Sequence, residues 1–139
     1  GLNLIPVRNA FEKIKKRLAD REMIAMLIDQ NASYYNGVFI DFMGHEACSS
    51  QGMARLALAT EAPVVPGFMV RDKGRYRMEF LPEIPLIKTG DFMEDVRINT
   101  ARYNKAVADY SLKYASQWLW MHNRWKTKSF SVWPRQGKK

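Results

Sequence analysis

The chain has 139 residues, 47% of them hydrophobic, which is enough for one packed domain and too apolar for wholesale disorder. Its longest uninterrupted aliphatic run, residues 23–28, is far short of the ~20 residues a membrane-spanning helix needs, and no signal peptide is visible. Cys48 is the only cysteine, so there is no internal disulfide and no thiolate zinc cluster, and the net charge of +8 lies entirely at one end: residues 1–96 hold 12 Lys/Arg against 13 Asp/Glu, and residues 97–139 hold 10 against Asp109 alone.

In chain order, Leu4-Ile5 before Pro6 reads as a short strand, and Asn9 is placed to cap a helix. Phe11, Ile14 and Leu18 give that helix one apolar stripe, and the basic run 13–17 its solvated face. Residues 23–28 are apolar without alternation, as in a strand buried on both sides of a parallel sheet, so a right-handed βαβ unit is expected. Residues 32–36 form a loop and 37–42 a short strand or extended segment. Ser49 or Ser50 caps a helix running to about Thr60, with Met53, Leu56, Ala57 and Thr60 on one face. Residues 64–70 read as a buried strand interrupted by Pro66, Asp72-Lys73-Gly74 as a hairpin turn, and the alternating residues 75–80 as a strand with one wet face. Pro82 and Pro85 mark an extended connection. Asp91 and Glu94 have capping-box spacing for a long helix to about Ala115, burying Phe92, Val96, Tyr103, Val107, Tyr110 and Tyr114. Trp118, Met121, His122 and Trp125 recur at helical spacing, which predicts a second helix; from Ser129 the chain reads as a basic, mobile tail.

Residues 29–52 are the candidate site. Asp29 stands where the apolar run ends, followed by Gln30, a polar loop and a helix start, the usual order of an α/β crevice. Ordinary loop polars with Phe39 and Phe42 in the core explain the pattern equally well. The basic C-terminal segment is either a solvated face or a surface for phospholipid head groups, a phosphorylated glycolipid, an acidic carrier protein or nucleic acid; no recognition motif favours nucleic acid. Cys48 has no His and acid at a spacing that would make it a nucleophile.

Leu27-Ile28-Asp29-Gln30, then Gly37-Val38-Phe39-Ile40-Asp41-Phe42-Met43-Gly44, then Ala62-Pro63-Val64-Val65-Pro66, and finally residues 117–127 occur in the order of four blocks. Together they resemble the bacterial late acyltransferases of lipid A biosynthesis, within the lysophospholipid acyltransferase superfamily. The resemblance spans roughly residues 3–128, which would form the C-terminal part of an acyltransferase domain, with 129–139 as the tail. It implies a glycerolipid-acyltransferase-like α/β fold: a mixed, largely parallel sheet with flanking helices and a helical C-terminal segment, here incomplete. The implied reaction moves a fatty acyl chain from an acyl-carrier-protein or coenzyme A thioester to a hydroxyl of a lipid A precursor, at the cytoplasmic face of the bacterial inner membrane, without a metal or other cofactor.

One departure outweighs the matches. The family's catalytic signature is a His with Asp or Glu five positions later, the His acting as general base. Here the residue five after His45 is Ser50, and five after His122 is Thr127. The signature belongs upstream of the first block, so the chain resembles the C-terminal half of such an enzyme, and Gly1 in place of Met agrees with a piece of a longer chain. The resemblance makes Asp29 a supporting residue beside the active site, and Asp29 joins Arg8, Gln30, His45, Arg124 and Lys126 as substrate-binding candidates, with Trp120 spaced for a cation–π contact to Arg124. Trp118, Trp120 and Trp125 suit a membrane interface or a packing cluster equally. The alternative reading is a non-catalytic basic α/β module that binds an anionic surface, membrane lipid or nucleic acid.

Overall fold

A computed structural model describes residues 3–6 and 9–129. Its elements are α1 (Ala10–Ala19), β1 (Gly37–Phe42), β2 (His45–Ser50), α2 (Gly52–Thr60), β3 (Gly67–Asp72), β4 (Arg75–Phe80) and α3 (Phe92–Lys113), followed by two short 3-10 turns at Ala115–Gln117 and Trp120–His122.

α3 is the element against which both hairpins and α2 pack. Asp91 starts it by accepting the backbone N–H groups of Met93 and Glu94 at 2.9 and 3.2 Å. Glu94 turns to Arg97 at 2.8 Å instead of back to the cap. The apolar positions Val96, Tyr103, Val107 and Tyr110 are buried as their spacing predicts, whereas Phe92 is 48% exposed. Asp95, Asn99, Thr100, Asn104 and Ser111 are buried as well. Buried polar groups need partners, and on this helix they tie down other segments. Asn99 receives the Ile87 N–H at 3.0 Å and donates to the Ile87 carbonyl at 2.8 Å. The Asp95 carboxylate accepts from the Thr89 hydroxyl and backbone N–H, which hold it below the usual carboxylate range. The proline-containing connection after β4 is thereby clamped to the helix.

The strands make two antiparallel hairpins of equal size, β1–β2 in register from Gly37↔Ser50 to Phe42↔His45 and β3–β4 from Gly67↔Phe80 to Asp72↔Arg75. Each closes through two residues of positive φ, Met43-Gly44 (57° and 79°) and Lys73-Gly74 (47° and 79°), the left-handed pair that matches the twist of two-residue hairpins. Ile40, Phe42 and Ala47 of the first hairpin form a core with Val107 and Ala108 of α3. A second core joins Ala54 of α2 to Val96 and Tyr103. α1 rests on α2 and buries Ile14. Asn9 is its N-cap residue, but its side chain makes no capping bond.

Several expectations are corrected. The largely parallel sheet is absent among the described residues, whose strands form only the two antiparallel pairs, so there is no βαβ unit. Leu4-Ile5 and residues 23–28 are not strands; Met23 and Leu27 are 92% and 89% exposed. An apolar run reports a tendency to be buried, but a strand exists only where another strand completes its hydrogen bonds. His45–Ser50 is a strand where a loop and helix cap were expected, with Ser49 buried inside it. The Ser50 hydroxyl still accepts the Gly52 N–H at 3.3 Å ahead of α2. The strand expected over 64–70 begins only at Gly67, Val64 making an isolated bridge to Ile84. The helix expected over Trp118–Trp125 is replaced by the two 3-10 turns.

Candidate functional site

Three stretches distant in sequence meet at one junction: residues 29–32, strand β2 and residues 118–127. Asn31 and Thr127, 96 residues apart, bond reciprocally, the Asn31 amide donating to the Thr127 hydroxyl at 3.0 Å and the Thr127 N–H to the Asn31 carbonyl oxygen at 3.0 Å. The Thr127 hydroxyl donates to the Ala32 carbonyl at 2.8 Å, and the Ala32 N–H to the Cys48 carbonyl at 3.0 Å. His122 adds a second tie: its Nε2 lies 3.3 Å from the Asp29 carbonyl oxygen, and its Nδ1 meets that of Leu119. Whichever nitrogen carries the proton has an acceptor.

Arg124 is the centre of this junction and is 1% exposed. Its guanidinium donates to the Cys48 carbonyl at 2.9 Å, to the Ser49 hydroxyl and to the side-chain Oδ1 of Asn104 on α3 at 3.1 Å. It also stacks over Phe42, 4.6 Å from the ring centroid. Asn123, in the left-handed conformation at φ 56°, precedes it, a turn that asparagine tolerates better than most residues. Burial pushes the Arg124 guanidinium down from its ordinary range, and the negative charge of Asp29 opposes that shift. Burial likewise pushes the Cys48 thiol up, opposed by Arg124. The junction closes tightly enough that a Cβ on Gly37 would lie 2.3 Å from the Cys48 sulfur.

The predicted site residues divide accordingly. Asp29 is half-buried beside His122 and near Arg124; Gln30 next to it is exposed. His45 opens β2 at the surface, its ring edge-on to Trp125 at 6.2 Å. Lys126 is exposed at the rim, and Arg8 lies outside the described residues. Arg124, expected to hold phosphate and to meet Trp120, instead directs its bonds into the protein and takes Phe42 as its aromatic partner. Trp118 and Trp125 pack on the core beside Phe42, while Trp120 is 47% exposed with its indole N–H on the Ala115 carbonyl. Ser129 donates to Glu46, and the tail beyond it lies outside the described residues. Asn31, Ser49, Asn104 and Thr127 were missed, because the spacing of polar residues does not show which distant acceptor each will meet.

Chemically, the junction is a rigid shelf, not a proton-transfer dyad. The hydrogen-bond partners of the His122 ring are carbonyls, and His45 faces an indole. On the stretches that form the shelf, Gln30, His45 and Lys126 are exposed and Asp29 is half-buried. No helix among the described residues is long and apolar enough to cross a membrane. Among curated proteins none matches the chain. The family model for bacterial lipid A biosynthesis acyltransferases, however, matches residues 1–127, nearly the whole sequence and every stretch that builds the junction, and the chain belongs to that family.

Proposed function

We propose that the chain forms the substrate-flanking part of an acyltransferase that moves a fatty acyl chain from an acyl-carrier-protein or coenzyme A thioester to a hydroxyl of a lipid A precursor or a related glycolipid. The observation that carries this reading is the family match over residues 1–127. In the reaction the acceptor oxygen bonds to the thioester carbonyl carbon, the carbon–sulfur bond breaks and the thiol leaves. The acceptor's proton goes to a general base, the His of a His-x4-Asp/Glu pair that this sequence does not contain. Asp29 acts here as a positioning residue. Its carbonyl seats His122 and its carboxylate stands near Arg124, so it couples the mouth of the shelf to the buried network. Gln30, His45, Lys126 and Arg8 are the polar groups that contact the glycolipid, and Arg124 acts indirectly by holding β2 and residues 122–127 in place. The piece lies peripherally on the cytoplasmic face of the inner membrane, where its basic C-terminal segment faces anionic lipid or the acidic carrier.

The test has two arms. Incubated alone with acyl-carrier-protein thioester and a lipid A precursor, the chain yields no product; turnover abolished by a substitution within residues 1–139 would overturn the assignment of the base. In an enzyme that carries the His-x4-acid pair, Asp29→Ala lowers kcat/KM at least tenfold at unchanged melting temperature, the scale of a misplaced reacting group. Equal losses of activity and stability would return Asp29 to an ordinary loop role.

A further inference from the structure

The β3–β4 hairpin is turned the unexpected way out. Its strands alternate, and one face carries Met69, Tyr76, Met78 and Phe80, the face a half-buried strand would put inside. These side chains are 64%, 72%, 52% and 65% exposed. The opposite face is the docked one: Phe68 stacks flat on Tyr110 at 3.9 Å, Val70 is 3% exposed, and the Tyr110 hydroxyl donates to Glu79. Gln117 fixes the β3 edge by accepting the Arg71 N–H at 2.9 Å and donating to the Arg71 carbonyl at 3.1 Å. The orientation is therefore held from behind by α3, and an apolar ribbon faces outward where an antiparallel sheet normally shows polar side chains.

We infer that this ribbon is an interfacial docking surface for an anionic phospholipid bilayer, a site separate from the junction that rests on the membrane placement proposed above. Charge selects this occupant. Residues 71–77 at the closed end carry Arg71, Lys73, Arg75 and Arg77 against Asp72; Arg77, on the docked face opposite Val70, pairs with Asp72 and Glu79, which leaves Arg71, Lys73 and Arg75. Arg71 stands opposite Tyr76 on the outward face. An apolar face with Arg71 beside its tyrosine and Lys73 and Arg75 at its closed end is an arrangement that lies in the head-group layer: methionine and phenylalanine enter the acyl boundary, and Lys and Arg meet phosphate. The chain just beyond Gln117 adds exposed Leu119 and Met121, 67% and 89%.

Tyr76→Trp places a fluorescent probe on the ribbon. With vesicles of phosphatidylglycerol and phosphatidylethanolamine, the Tyr76→Trp chain gains blue-shifted emission beyond that of the parent chain's four tryptophans, and brominated acyl chains quench the added signal. Flotation of the full chain with the same vesicles reads the energetics. The pair Met69→Ser and Met78→Ser lowers the partition coefficient about tenfold or more at both 0.1 M and 1 M salt, because apolar burial is not screened. The pair Lys73→Gln and Arg75→Gln lowers it about fivefold per charge at 0.1 M and little at 1 M. Both pairs are exposed, and unchanged circular dichroism shows that they fold. Binding unaffected by either pair, equal binding to phosphatidylcholine vesicles, or a dimer in solution that the Met pair dissolves would each overturn the inference, the last assigning the ribbon to a protein contact.

Discussion

The two hairpins have the same strand length, the same antiparallel pairing and the same kind of turn, and both lean on α3. They differ in what covers their second face. In β1–β2 three successive residues, Ala47, Cys48 and Ser49, are all fully buried, which is possible only when both faces are covered. The cover comes from residues 29–32 and 118–127, pinned through Arg124 and Asn31. In β3–β4 only Val70 reaches that depth, and the outward side is apolar and open. Local backbone structure is thus equivalent in the two, and tertiary cover decides which hairpin is core and which is surface.

Substituting matched positions sharpens the contrast. Phe42→Ala removes a ring that is 1% exposed and packs on Trp118, Trp125 and Arg124, and should lower unfolding free energy by about 3–5 kcal/mol in urea titration. Met78→Ala on the other hairpin should stay within about 0.5 kcal/mol. Arg124→Met should cost about 3 kcal/mol, because the acceptors on Ser49 and Asn104 lose their donor and the Cys48 carbonyl loses one of two. Arg124→Lys should recover only part of that, since an ammonium cannot reach the same acceptors as a planar fork.

Glycine pairs give the next largest difference. Gly37→Ala drives a methyl into the Cys48 sulfur in a closed junction and should destabilise by about 1–3 kcal/mol. Gly67→Ala meets only the Phe80 ring, at 3.0 Å, and that ring is exposed and free to swing, so the melting temperature should hardly move. Asn31→Ala should cost about 1–2 kcal/mol through its lost partnership with Thr127, whereas the matching amide pair on the second hairpin, Gln117 with Arg71, is exposed and should cost less.

The smallest effect is alkaline. Burial raises the Cys48 thiol, and burial followed by the Glu79 hydrogen bond raises the Tyr110 hydroxyl. A raised folded pKa of a neutral acid means that the folded state holds its proton longer than the unfolded one. The stability this gives is complete below the unfolded pKa and fades as pH rises above it, from about 8.5 for the thiol and about 10 for the phenol. Cys48→Ala should therefore flatten the fall in urea midpoint between about pH 8.5 and 10 while leaving the steeper loss above that range, and iodoacetamide should react with native Cys48 far more slowly than with the urea-unfolded chain.

Much of the local structure was legible. The Asp91 cap, the length of α3, its apolar stripe from Val96 to Tyr110, α2 and the Lys73-Gly74 turn all follow from side chains acting within a few residues of themselves. Of the candidate site, Asp29 was visible as a polar residue at the end of an apolar run, but the role of Arg124 was misjudged. A lone arginine in a basic segment looks like a surface cation until its acceptors, 75 and 76 residues earlier on β2 and 20 earlier on α3, are brought to it.

By itself, then, the sequence determined helices α1 to α3, the Lys73-Gly74 turn, the family and the absence of a His-x4-acid pair, because these depend on residue identity and near-neighbour spacing. Only the tertiary structure decided that residues 23–28 lie open, that Arg124 is internal, and which face of the alternating strand β4 points outward. Alternation states that a strand has two chemically different faces; which one is buried depends on the Tyr110 ring and Glu79 anchor supplied by partners across the fold, a non-local choice that no period in the chain encodes.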